Sequence, residues 1–550
     1  MLGRSMARTI RLRRWQKDAL ERFRTTDGAD FLAVATPGAG KTTFALTAAR
    51  HWLAENPDAR LVIVAPTQHL KRQWAQAAAA FDLDVEPFWK AGEPLPADMD
   101  GLVTTYQQIA SNPVSIARMA VGGFAIIDEI HHAGDDRAWG DGLRIALGDA
   151  AQRLCLSGTP FRSDTTPIPF VTYEYEEAVP DFEYGYGDAL VDGGVVRPVH
   201  FPRIQGQMEW VAPDGTFHAH DFDDELDRVR ANQRLRTALS PDGEWLAAVL
   251  GDAHRRLLEV RQVQPEAAGL VIAMDVEHAR AIADLLEQRW RVKVTVATSD
   301  DPMASARIAR FAASSDPWIV AVRMVSEGVD IPRLRVGVFA TNTTTELFFR
   351  QAVGRLVRWT RGLRTQRAWL YIPDDLRLRR LAEGVAEQRR HSLFKRRRDE
   401  DDDPGFDDPN GELDEPADFG EDDQLSLFQA MSAVATGVAD APPDEGDEGE
   451  LVWEEDEGDE SLDIDLPPLP RKKTGGVLVG AGGPSLAEQK SKLRKENASL
   501  VAHLVQITGK SHREVNGELN RMSGVRKITE ATAEQLSRRL TEGERWVKTL

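Results

Sequence analysis

The octapeptide Ala35-Thr36-Pro37-Gly38-Ala39-Gly40-Lys41-Thr42 holds the residue types that grip a polyphosphate. It follows an aliphatic run, Phe31–Ala35, and leads into a helix-compatible stretch, Thr43–Trp52. That strand–turn–helix context is what a phosphate-binding loop needs. Gly38 and Gly40 let backbone N–H groups close round phosphate oxygens, and the following helix offers the positive end of its dipole. Lys41 would reach the β- and γ-phosphates, and the Thr42 hydroxyl would ligate Mg²⁺. Pro37, Ala39 and Thr43 complete the candidate nucleotide-contacting set. Ala35 stands where the general pattern has glycine, so the signature is one residue short.

A second constellation, Asp128-Glu129-Ile130-His131, closes the aliphatic run Phe124–Ile127. Ligands gather at the carboxyl ends of parallel strands, so carboxylates there lie beside the phosphate loop. Asp128 is placed to hold Mg²⁺, and Glu129 to orient and deprotonate an attacking water. Alone this tetrapeptide is a weak signal; downstream of a phosphate loop it is a strong one.

With these motifs in hand, the sequence resembles the superfamily 2 helicases and translocases, and further motifs follow in that family's order. Arg14-Trp15-Gln16 is similar to the element whose glutamine reads the adenine edge, which assigns Gln16 to the nucleotide. Ala65-Pro66-Thr67 and Thr104-Thr105-Tyr106-Gln107 resemble the elements that hold the nucleic-acid backbone, implying contacts by Pro66, Thr67, Thr104 and Thr105. Ser157-Gly158-Thr159-Pro160 resembles the motif coupling hydrolysis to movement. Ser326-Glu327-Gly328-Val329-Asp330-Ile331-Pro332 and Gln351-Ala352-Val353-Gly354-Arg355-Leu356-Val357-Arg358 match the last two motifs. The resemblance therefore implies that His131, Gly328, Asp330 and Gln351 border the nucleotide. It spans about residues 10–375, and DEIH, SGTP and SEGVDIP are more similar to DNA repair and restriction-type translocases than to DEAD-box RNA helicases.

The last motif has its own physical logic. Arg355 and Arg358 are three apart on a predicted helix and so share a face. Guanidinium groups meet phosphoryl oxygens in a bidentate, always-charged way. Supplied from a second domain, both arginines would complete catalysis only when two domains close on ATP.

The elements that must position these residues are legible as short aliphatic runs. Phe31–Ala35, Leu61–Ala65, Phe124–Ile127 and Leu154–Ser157 predict buried parallel strands, as do Leu270–Ala273, Val292–Ala297, Trp318–Val322, Val336–Ala340 and Ala368–Ile372. The expected fold class is α/β, with two tandem RecA-like domains, a disordered acidic linker and a small C-terminal α-helical module. The boundaries read as 1–190, a connector 191–245, 246–398, the linker 399–484 and the module 485–550.

Charge follows the same division. The whole chain carries −20, but Asp399–Leu466 holds 28 acidic residues and no Lys or Arg, leaving +8 for the remainder. Such an acidic run predicts disorder. The module 485–550 has 13 Lys/Arg against 8 Asp/Glu, and its Lys492, Arg494, Lys495, Arg526, Lys527, Arg538 and Arg539 are candidates for phosphate contact or plain solvated faces. Leu493–Val505 and Thr529–Trp546 read as helices, with Gly509 and Gly524 as breaks. Within the linker, Gln424-Leu425-Ser426-Leu427-Phe428 resembles the short motif by which bacterial replication and repair proteins bind the DNA polymerase sliding clamp. The single cysteine, Cys155, excludes an intrachain disulfide and a cysteine zinc site. No apolar run is long enough to span a membrane, and a basic N-terminus without an apolar stretch predicts a cytoplasmic, nucleoid-associated protein.

Together these features lead to the expectation of an ATP- and Mg²⁺-dependent DNA helicase or translocase. An RNA helicase, an ATP-gated DNA-binding scaffold and the motor subunit of a restriction or phage-defence complex remain open alternatives.

Overall fold

The computed structural model describes residues 8–134, 137–158, 167–174, 177–298, 301, 303–322, 331–360, 362–363, 366–400, 429–439, 462–469 and 485–550. In the first lobe seven parallel strands run in the spatial order Phe182–Tyr184, Asp30–Ala35, Gln152–Ser157, Phe124–Ile127, Leu61–Ala65, Gly101–Thr105 and Val85–Glu86. Successive side chains of a strand point to opposite faces. Accordingly Leu61, Ile63 and Ala65 enter one hydrophobic cluster while Val62 and Val64 enter another. Both faces are covered by helices, which is why the strands read as unbroken aliphatic runs.

The second lobe repeats this plan with Val294–Ala297, Trp318–Val322, Ala268–Ala273, Leu334–Ala340 and Ala368–Pro373, all parallel. Its sheet grows further at one edge. Arg203–Val211 begins parallel to Ala368–Pro373, then pairs antiparallel with Phe217–Asp221 and with Gln429–Ala439. The stretch 191–245 is therefore largely part of this lobe rather than a separate connector. Its cause is visible in Arg203–Val211, where Ile204, Met208 and Trp210 face inward at every second position.

Two pieces of the acidic linker are ordered, in a run whose average composition argues against packing. Gln429–Ala439 carries no charge and forms the strand just described. Leu462–Leu466, Leu-Asp-Ile-Asp-Leu, pairs antiparallel with Arg8–Leu12, setting Arg11 opposite Asp463 and Thr9 Oγ1 2.9 Å from Asp465. Leu466 is buried in the first-lobe core. The linker thus adds one strand to each lobe. The motif Gln424–Phe428 lies outside the described residues.

The C-terminal module is a bundle of Leu486–Thr508, His512–Ser523 and Ala533–Thr549. All three helices start with a capping box (Ser485/Glu488, Ser511/Glu514, Thr532/Gln535), a sequence signal that marks the middle helix missing from the sequence reading. The bundle is docked on the first lobe. Lys490, fully buried, pairs with Asp98 at 2.7 Å, and Arg494 pairs with Glu86 at 3.1 Å. Arg539 is also fully buried, its guanidinium donating to the side-chain oxygens of Asn497, Asn516 and Asn520. Arg494 and Arg539 are therefore structural cations rather than phosphate contacts. No described helix is long and apolar enough to cross a membrane.

Candidate active site

The loop Thr36–Gly40 joins the strand Asp30–Ala35 to the helix Lys41–Glu55. Gly38 and Gly40 adopt φ of 90° and 97°, a left-handed backbone that side chains disfavour. A Cβ on Gly40 would also lie 2.6 Å from Gln16 Nε2. Gln16 is buried, and its amide nitrogen donates to Gly40 O at 2.9 Å while its oxygen accepts from Arg13 N. Trp15 Nε1 donates to Ala39 O at 3.1 Å, and its ring stacks on Tyr184. The segment 13–16 thus braces the loop from below, and Trp15 is a packing residue.

Across the strand ends lies Glu129. Its Oε1 accepts from Lys41 Nζ at 3.1 Å and its Oε2 from Gly158 N at 3.1 Å. Its φ of 50° is uncommon for a residue with a side chain, and the Tyr106 hydroxyl holds this turn by donating to Asp128 O and Glu129 O. Burial alone would raise the Glu129 carboxyl, but the charges of Lys41 and His131 outweigh it and hold it low. Asp128 goes the other way, pushed up by burial and then by the neighbouring Glu129 charge. Trp74 Nε1 donates to Asp128 Oδ2 at 2.8 Å, and Oδ1 has no donor among the described residues. A carboxylate disfavoured as an anion, with an oxygen to spare, fits a divalent cation shared with phosphates and the Thr42 hydroxyl.

The second lobe closes over this loop. A Cβ on Gly354, in the helix Glu346–Leu356, would meet Pro37 Cγ at 2.7 Å, so the Pro37 ring lies directly against the helix backbone. Arg358 lies against Gly38, its Cδ 3.2 Å and Nη1 3.4 Å from where a Gly38 Cβ would stand. Gln351 Nε2 donates to His131 Nε2 at 3.3 Å, and His131 Nδ1 faces Ser157 Oγ at 3.3 Å and Glu129 Oε2 at 3.6 Å. Arg355 is half-buried in the same helix.

Over residues 9–162 the chain matches the family model described as "Type III restriction enzyme, res subunit". An uncharacterized protein of Mycobacterium tuberculosis is 40% identical over 554 residues, 96% of this chain and 92% of that protein. One of Mycobacterium leprae is 39% identical over 561 residues, covering 96% and 93%. A fragment of the HsdR subunit of a type I restriction enzyme from Vibrio vulnificus has a TM-score of 0.46 at 20% identity, covering 67% of this chain and 65% of that one. The chain belongs to one family with these mycobacterial proteins, and its residues 9–162 carry the res-subunit domain.

The structure thus brings Lys41, Glu129, Asp128, His131, Gln351 and Arg358 to one cleft. Gly328 and Asp330, with Thr159 and Pro160, lie outside the described residues. The nucleic-acid motifs are placed differently from their residue types. Pro66 and Thr67 are half-buried at the end of Leu61–Ala65, where Thr67 caps the next helix by accepting from Leu70 N. Thr104 and Thr105 are buried. Thr105 caps its helix by accepting from Gln108 N, and Thr104 Oγ1 lies 3.4 Å from Gln108 Oε1. Their side chains are used within the fold, while the neighbouring Gln107 is exposed. Sequence reasoning missed Trp74 and Tyr106, which fix the Asp128–Glu129 turn. Tyr106 stood within the quoted motif; Trp74 gave no signal beyond helical spacing.

Proposed function

We propose that this chain is an ATP hydrolase stimulated by nucleic acid, which moves along or unwinds DNA. The observation carrying it is the closed cleft, with Lys41 and Glu129 on one wall and Gly354 and Arg358 seated on the phosphate loop from the other. Phosphates entering the loop give Lys41 a new partner and free the Glu129 carboxylate to face a water. That water attacks the γ-phosphorus, its proton passes to Glu129, and the bond to the β-phosphate oxygen breaks to release ADP. Thr42 and Asp128 would hold Mg²⁺, which would supply charge neutralisation of the phosphates. Arg358, and Arg355 beside it, stabilise charge on the transferring group, an effect worth about 10³–10⁵ in rate in related NTPases. Closure on ATP and opening afterwards alternately tighten and release a strand lying across both lobes.

The match to a restriction-enzyme res subunit favours DNA over RNA, as does the clamp-like motif Gln424–Phe428, which would bring the protein to replication or repair sites in the bacterial cytoplasm. ATPase assays across DNA and RNA, beside Lys41→Ala and Arg358→Ala, test this. Both variants should lose nearly all turnover, with ATP affinity weakened in Lys41→Ala and largely kept in Arg358→Ala. Stimulation by RNA alone would refute DNA as the track. Strand-displacement and triplex-displacement assays then separate unwinding from translocation.

A further inference from the structure

The first lobe and the docked C-terminal bundle share a surface that the active-site cleft does not use. Val85–Glu86 runs parallel to Gly101–Leu102, the start of Gly101–Thr105, and the Phe88 that follows it meets Arg72, in the second turn of the helix that Thr67 caps. Phe88 is 44% exposed, and the Arg72 guanidinium stands over its ring at 5.3 Å. Glu86 ties this aromatic to the bundle. Its Oε1 accepts from Phe88 N at 3.2 Å, and its Oε2 from Arg494 at 3.1 Å. Arg494 in turn donates to Thr529 O, fixing the turn between the last two helices beside Glu86. That turn presents Arg526 and Lys527, and Arg538 folds back towards it, 3.6 Å from where a Gly524 Cβ would stand. All three are exposed; Lys527 is shared with Glu530, while Arg526 and Arg538 have no carboxylate partner among the described residues.

An exposed ring beside a guanidinium, followed within one rigid junction by three cations, matches what a single strand requires. Unstacked bases lie on aromatic faces, and cations track the phosphates. We propose that this junction is a second contact for single-stranded nucleic acid, with a base on Phe88 and Arg72 and the backbone running over Arg526, Lys527 and Arg538. It rests on the motor reading above. The bundle is then a fixed extension of the track on the first lobe rather than a tethered accessory.

The test uses the full chain and fluorescent single strands of DNA and of RNA, titrated at several salt concentrations. In Arg526→Gln/Lys527→Gln/Arg538→Gln the slope of log affinity against log salt should shrink by about 2, since each phosphate contact on a single strand contributes about 0.7. Phe88→Ala should weaken binding roughly tenfold with little change in slope. A control, Arg513→Gln/Arg545→Gln/Lys548→Gln, removes equal charge elsewhere on the bundle, with Arg545 and Lys548 about 10–15 Å beyond Arg538 along the last helix; it should keep the parental slope. If the triple variant and its control lose the same slope, or neither loses any, the junction is not a contact. If the parent binds no nucleic acid at all, the motor reading fails instead.

Discussion

Replacing Gly354 by alanine is the sharpest probe of the closed cleft. The added methyl would stand 2.7 Å from Pro37 Cγ and 3.1 Å from its Cβ, whereas ordinary contacts begin near 3.4 Å. Pro37 cannot swing aside, because its ring is part of the loop backbone. The helix Glu346–Leu356 must therefore retreat by about 1 Å, carrying with it Arg358, which follows one turn later. A misplacement of about 1 Å costs on the order of 100-fold in rate when the displaced group orients a reaction. Lys41 and the loop N–H groups belong to the other lobe, so nucleotide affinity should stay within a few-fold. Alanine also favours a helix over glycine by about 1 kcal/mol, so a melted helix cannot explain lost activity. The measurements are steady-state ATP hydrolysis and equilibrium binding of a fluorescent nucleotide. Parental turnover in Gly354→Ala would mean that the apposition of Pro37 and Gly354 plays no part in catalysis.

Other residues yield shorter predictions. Glu129→Gln should bind nucleotide yet hydrolyse it about 10²–10⁴-fold more slowly, read in single-turnover assays; a smaller loss assigns the base elsewhere. Lys71 is buried, donates to Gln108 Oε1 at 2.8 Å, and is lowered to about 8, mainly by burial, with Glu86 opposing. Its unfolded value is higher, so the unfolded chain holds the extra proton above pH 8, and stability rises with pH between about 8 and 10.5 by on the order of 3 kcal/mol. Thermal melts of the parent should accordingly gain on those of Lys71→Met across that window; parallel curves would refute the buried ammonium. Lys490→Met removes the cation paired with Asp98 in a buried ion pair and should loosen the C-terminal bundle by about 3–5 kcal/mol. Limited proteolysis should then release a fragment near residue 485, and unchanged resistance would count against the docking.

What the sequence disclosed depended on whether the physics was local. The phosphate loop could be read because its strand, glycines and lysine are contiguous, and buried parallel strands such as Leu61–Ala65 show as bare aliphatic runs. The linker strands were hidden by averaging. Leu462–Leu466 alternates leucine or isoleucine with aspartate, a strand pattern in itself, but it sits at the end of a run holding 28 acids. Its neutralising partner, Arg8–Leu12, lies at the other end of the chain. Docking of the bundle was equally invisible, because Lys490 and Asp98 are 392 residues apart and neither is unusual where it stands. For Thr104 and Thr105 the motif gave residue types but not burial, which comes from the strand Gly101–Thr105 that they end and the helix that Thr105 caps.

The cleft also explains why one residue, Glu129, would sense both lobes. Its two oxygens are divided between Lys41 and Gly158, and its backbone is held in a left-handed turn by Tyr106. His131 Nδ1 stands 3.6 Å away and 3.3 Å from Ser157 Oγ, while Gln351 of the second lobe reaches the other ring nitrogen. Withdrawing the second lobe removes Gln351 and Arg358 together, so the imidazole loses that contact in the same motion that takes the guanidinium off Gly38. Lys41, Gly158 and Tyr106 set the carboxylate from within the first lobe, and closure adds the guanidinium that this lobe lacks. Hydrolysis on this reading waits for the lobes to meet, which is the order of events that a motor requires if each ATP is to drive one step.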